Sequence, residues 1–106
     1  MPKYLIAANY TAEGAKGLAR DGGSGRRAAV ETMIAGLGGK VESFYFAFGD
    51  VDAYVICDLP DNQTAAAISL ATSQSGAVKI TTVPLMTVEE IDQAVKKNVS
   101  YRAPGS

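Results

Sequence analysis

The sequence predicts an α+β domain: a four-stranded antiparallel sheet with its helices on one face. Three observations lead there. Apolar periodicity switches along the 106 residues between strand-like and helix-like runs, in the order β-α-β-β-α-β followed by a last helix. The second and third strand-like runs meet at Gly49-Asp50, a hairpin signal. Glycine, proline and capping residues stand at the joints between runs. That order is the split βαβ arrangement.

Residues 3–10, KYLIAANY, read as a strand that is apolar on both faces. Thr11 follows as a cap for a short helical turn over 12–20, and Asp21-Gly-Gly-Ser-Gly25 reads as a loop by composition. The helix restarts over 26–37, where Val30, Met33, Ile34 and Leu37 have the i, i+3, i+4, i+7 spacing of one buried stripe. Gly38-Gly39 ends it.

Residues 40–48 and 51–58 form the hairpin. Glycine first in a two-residue loop predicts a type II′ turn. That turn pairs Phe46 with Ala53, Tyr45 with Tyr54 and Phe44 with Val55. Because side chains alternate, Phe44, Phe46, Phe48, Val51, Ala53 and Val55 share one face. Tyr45, Ala47, Asp52, Tyr54 and Ile56 share the other. Periodicity separates the faces but does not say which one the helices cover.

Pro60 breaks the third strand, and Asp61 is placed to cap an Ala-rich helix over 62–74 that carries Ile68 and Leu70. This helix ends near Ser75-Gly76. Residues 77–85 form a fourth strand, with Pro84 suited to an edge. Thr87-Val88-Glu89-Glu90 is a capping box. It opens a helix whose Val88, Ile91 and Val95 are expected to face inward, with Lys96 and Lys97 at its end. A single domain over 1–97 with an extended tail over 98–106 is the expected organisation.

Composition narrows the chemistry. Apolar residues make up 47% and charged residues 20%, values of a globular chain rather than a disordered one. The net charge of −1 provides no electrostatic footprint for nucleic acid, so no nucleic-acid partner is expected. The chain has no histidine, which removes Ser-His and Cys-His nucleophile arrangements and the commonest zinc and haem ligand. Its one cysteine, Cys57, lies in the apolar run Val55-Ile56-Cys57 and reads as a small buried hydrophobe, suited to a reducing compartment. No apolar run approaches the ~20 residues of a membrane span. The opening Met-Pro-Lys-Tyr has no signal-peptide layout, so a cytoplasmic protein without a membrane partner is expected.

With helices on one sheet face only, an aromatic-rich face is left over whichever side they take. An uncovered apolar face of that kind marks an interface. Two copies packing sheet to sheet, a dimeric α+β barrel, is the economical arrangement, so the expected partner is a second copy of the chain.

The chain resembles the GYD domain family. The resemblance rests on Asn9-Tyr10-Thr11, on Leu37-Gly38-Gly39-Lys40 and on the hairpin Phe44-Tyr-Phe-Ala-Phe-Gly-Asp-Val-Asp52. It continues through Pro60-Asp61 and Met86-Thr-Val-Glu-Glu90. The tripeptide that names the family corresponds to Gly49, Val51 and Asp52, with one residue inserted after the glycine and valine in place of tyrosine. The resemblance implies a ferredoxin-like βαββαβ fold that pairs into a dimeric α+β barrel. It implies no established activity.

Three places are candidate sites. Tyr45, Tyr54, Asp52 and Asn9 could line a small-molecule pocket between sheet and helices, with apolar walls and a few directed polar groups. A tyrosine or carboxylate there could serve proton transfer in a cofactor-independent enzyme. The plainer account makes the tyrosines packing residues and Asp52 a hydrogen-bonding partner of the hairpin. The glycine-rich run into Arg26 and Arg27 could hold an anion, although its spacing is neither a Walker loop nor a dinucleotide fingerprint, and a solvated loop is the plainer account. The carboxylates Asp50, Asp52, Asp58 and Asp61 are too dispersed for a metal site, and no metal or cofactor is expected. A small-molecule-binding dimer is the leading reading. The alternatives are an assembly module without a ligand and an enzyme that uses Tyr or Asp.

Overall fold

The computed structural model describes residues 1–106 and contains seven elements in the expected order. They are β1 (Lys3–Tyr10), α1 (Ala12–Gly36), β2 (Lys40–Phe46), β3 (Ala53–Asp58), α2 (Asn62–Ser75), β4 (Val78–Leu85) and α3 (Val88–Val95). The strands form one antiparallel sheet in the order β2-β3-β1-β4. This is an α+β architecture consistent with the ferredoxin-like pattern. No helix is long and apolar enough to cross a membrane.

Local signals place the element ends. The Thr11 side chain accepts from the Gly14 amide at the start of α1, and Asp61 accepts from the Thr64 amide at 2.8 Å at the start of α2. These contacts satisfy amides that have no partner inside the helix. The bonds from Thr64 hold the Asp61 carboxyl below the usual carboxylate range. At α3 the capping box is complete in both directions, Thr87 to Glu90 and back. The left-handed Gly76 ends α2. Pro84 lies on β4, an edge strand, where its missing donor costs no ladder bond.

Cross-strand pairing sorts the sheet into two faces. The rows Val41–Cys57–Tyr4, Phe44–Val55–Ile6–Thr82 and Phe46–Ala53–Ala8–Ile80 lie on one side. The rows Ile56–Leu5–Val83 and Tyr45–Tyr54–Ala7–Thr81 lie on the other. The helices cover the first side: Ile34 of α1 and Ala65 and Ile68 of α2 join Tyr4, Ile6, Val55, Cys57 and Leu59 in the buried core. The phenylalanine side of the hairpin is therefore the inner one. Small Ala53 and branched Val55 let the helices approach it, whereas Tyr45 and Tyr54 would hold them off.

Four details differ from expectation. The break expected over 21–25 narrows to one residue: two helical stretches of α1 meet at a kink at Gly22, whose φ of 72° only glycine adopts without strain. Helix-interior glycine costs only about 1 kcal/mol relative to alanine, and a Cβ at Gly23 would stand 3.1 Å from the ring of Phe46. The Gly49-Asp50 turn is not type II′, because Gly49 does not take a positive φ. The amide of Asp52 turns instead to β1, donating to the Ala8 carbonyl at 3.0 Å and to Asn9 Oδ1 at 3.1 Å. A wider loop results, yet the Tyr45–Tyr54 register is as expected. A bulge between Val41 and Ser43 lets Val41 and Phe44, three apart, both reach the core.

The fourth detail is α3. Val88, Ile91 and Val95 do not face inward but stand exposed, as do Met33 and Leu37 of the expected α1 stripe and Leu70 of α2. In α1 only Gly14 and Ile34 are buried, with Val30 packed against the core.

Candidate functional site

The inner face of the sheet does not fill completely. Ala8 and Ala53 are cross-strand neighbours on that face, and their short side chains leave space beneath the helices. A cavity of about 40 Å³ occupies it, bounded by apolar groups that include Ile6, Val30, Phe44, Val55, Ile68 and Ile80. Its polar lining comes from Arg26 of α1 and Thr72 of α2, and Tyr10 at the end of β1 also borders it. Thr72 donates its hydroxyl proton to the Ile68 carbonyl at 2.6 Å.

Arg26 also borders a surface recess of about 260 Å³ that contains Glu13, Arg20 and Asp21. It therefore stands between the apolar cavity and water. Arg26 is half-buried and takes part in none of the chain's ion pairs, whereas Arg27 lies 3.9 Å from Glu31 on the exposed side of α1. The two arginines, adjacent in sequence, are thus in different electrostatic settings.

The remaining residues singled out from the sequence lie elsewhere. Tyr45 and Tyr54 are directly opposed, but on the open face of the sheet, where they are 70% and 40% exposed. Neither they nor Asn9 nor Asp52 lines the cavity. A pocket between sheet and helices is present, but it belongs to the phenylalanine face, because that is the face the helices cover. Asp52 is engaged with backbone: its Oδ2 accepts from the Tyr10 amide at 2.9 Å, and its own carbonyl accepts from the Ala47 amide at 2.8 Å. Together with Asn9 it ties the end of the hairpin to the end of β1.

Two further clusters complete the chemistry. Lys3 on the open face bridges Asp58 at 2.9 Å and Glu42 at 3.2 Å, and these partners raise its pKa. Cys57 is fully buried, and burial pushes its thiol up to about 11. It is a packing residue, not a nucleophile poised at neutral pH.

Sequence reading missed Ile6, Thr72 and Ile80 as cavity residues. The available signal was steric: two alanines in register at the centre of a buried face are short of the volume a close-packed core needs. Seeing it required the β1–β3 pairing, which joins residues 45 positions apart.

The family model for the GYD domain matches residues 4–95, nearly the whole chain. No curated protein and no solved structure matches. The chain belongs to the GYD domain family.

Proposed function

We propose that the chain is a small-molecule-binding protein that works as a homodimer, with its pocket between the sheet and the helices. The cavity beside Ala8 and Ala53 supports the pocket most directly. Native interiors are close-packed, and an apolar void that meets polar groups at its mouth has the make-up of a ligand site. The open face supports the dimer. Leu5, Ala7, Ile56, Tyr54, Tyr45 and Val83 form a continuous apolar surface there, half-buried or exposed in the isolated chain. A self-complementary patch packed around a two-fold axis would remove it from water. The exposed stripe of α3 adds to the surface that a second copy would cover. A reducing, cytoplasmic setting suits the free thiol of Cys57.

One titration and one mass measurement test this reading. Uncharged 1-butanol, added to the ¹⁵N-labelled protein, is expected to shift the amide signals of residues around Ile34, Val55 and Ile68. Shifts scattered over the surface, or none, would refute the pocket. Light scattering is expected to return twice the mass of the chain, and Ile56→Asp to return the single mass with the fold retained. A wild-type monomer at micromolar concentration would refute the dimer.

A further inference from the structure

We infer that the pocket takes a short amphipathic anion, a small carboxylate whose chain enters the cavity while its head binds Arg26. This rests on the reading of the cavity as a ligand site and adds the class of ligand. The walls are apolar on every side except where Arg26 and Thr72 meet them. An apolar tail gains from such walls, and a polar head has only that end to occupy.

The identity of the head follows from the donors. Thr72 has already donated its proton to Ile68, so Arg26 is the only charged donor at the cavity. A guanidinium is always charged at physiological pH and offers a planar fork of donors and no acceptor, a geometry that a carboxylate satisfies with two parallel bonds. Arg26 lacks such a partner within the chain. Its neighbour Arg27 has Glu31, and Lys3 has Asp58 and Glu42. Glu13 and Asp21 share the outer recess with Arg20 and Arg26 but form no ion pair with either, and Arg26 alone among these charged groups also lines the cavity. An ammonium head would meet the guanidinium as a like charge.

The size of the tail follows from the volume. One water-sized atom needs about 10–15 Å³ of such space, so a cavity of about 40 Å³ admits roughly three or four atoms. Butanoate is a fitting probe, and 1-butanol and butylammonium have the same chain with a neutral and a cationic head.

The experiment titrates the full ¹⁵N-labelled chain with each of the three and follows the cavity amides. Butanoate is expected to bind about tenfold or more tightly than 1-butanol, the lower range for a hydrogen bond to a charged group, and butylammonium is expected not to bind. Arg26→Gln should abolish the preference for butanoate while 1-butanol still binds, and Arg27→Gln should leave the preference intact. If Arg26→Gln does not fold, Arg26→Met keeps the stem without the charge and reports the same contrast. Equal binding of butanoate and 1-butanol, or a preference that survives at residue 26, overturns the anion while leaving the pocket standing. If none of the three shifts the cavity amides, pocket and anion fall together.

Discussion

Replacing Asp52 with alanine separates a structural role from a ligand-binding one. The Asp52 carboxylate accepts the Tyr10 amide at 2.9 Å in a part-buried setting, where β1 gives way to α1. Removing it leaves that amide without its acceptor. A hydrogen bond to a charged group contributes about 1.5–3 kcal/mol when buried. Partial exposure brings the expected loss to about 1–2 kcal/mol. The bonds from the Asp52 amide to Ala8 and Asn9 and from Ala47 to the Asp52 carbonyl are backbone-anchored on residue 52 and survive the change. In a domain of this size each kcal/mol moves the melting temperature by about 4–8 °C. Asp52→Ala is therefore expected to melt roughly 5–15 °C lower. Asp52→Asn keeps an acceptor oxygen and should lose less than half of that. Asp50→Ala, on the exposed turn, should stay within about 0.5 kcal/mol of wild type. Circular-dichroism melts at one fixed protein concentration measure all three, since assembly makes the midpoint concentration-dependent. An Asp52→Ala protein that melts with wild type would refute the clamp. If it also lost ligand binding at unchanged stability, Asp52 would belong to a site.

Two other expectations follow from the structure. A Cβ on Gly14 would lie 1.9 Å from the Ala77 carbonyl oxygen, whereas one on Gly17 meets only the tip of Arg20 at 4.0 Å. Gly14→Ala should thus lower the melting temperature, overpacking of about 1–3 kcal/mol outweighing the helix-propensity gain of about 1 kcal/mol. Gly17→Ala, with the same gain and no clash, should raise it; equal shifts would refute the close approach. Cys57 should resist alkylation by iodoacetamide at pH 8 in the folded chain and react once urea unfolds it. With a folded pKa of about 11 against an ordinary 9.0, the unfolded chain holds fewer protons between those values, so stability falls as pH rises through that window. In Cys57→Ser that decline should weaken, and an unchanged slope would refute the assignment.

The caps and the hairpin register were legible in sequence because each depends on a few residues close together. Thr11, Asp61 and Thr87 cap helices through amides three residues away. Tyr45 opposes Tyr54 because the loop between them is short. The hairpin also shows the limit of local reasoning. Gly49 with Asp50 favours a type II′ turn in isolation, but β1 supplies acceptors for the Asp52 amide from more than 40 residues away.

The sequence by itself determined the element order, the helix starts, the edge position of Pro84, the burial of Cys57 and the division of the hairpin into two faces. All of these follow from side-chain period and from hydrogen bonds between near neighbours. Only the tertiary structure decided which face lies inside, because both faces are apolar and the choice rests on which one the helices can approach. It also decided that α1 passes through its glycines with one break at Gly22, and that α3 leaves Val88, Ile91 and Val95 exposed. The candidate site was decided there as well. Tyr45 and Tyr54 have the residue types of a pocket but lie outside it, while Arg26 reaches one because α1 carries it over the gap left by Ala8 and Ala53. A cavity is a shortage of volume summed here over six elements, and no single stretch of chain contains that sum.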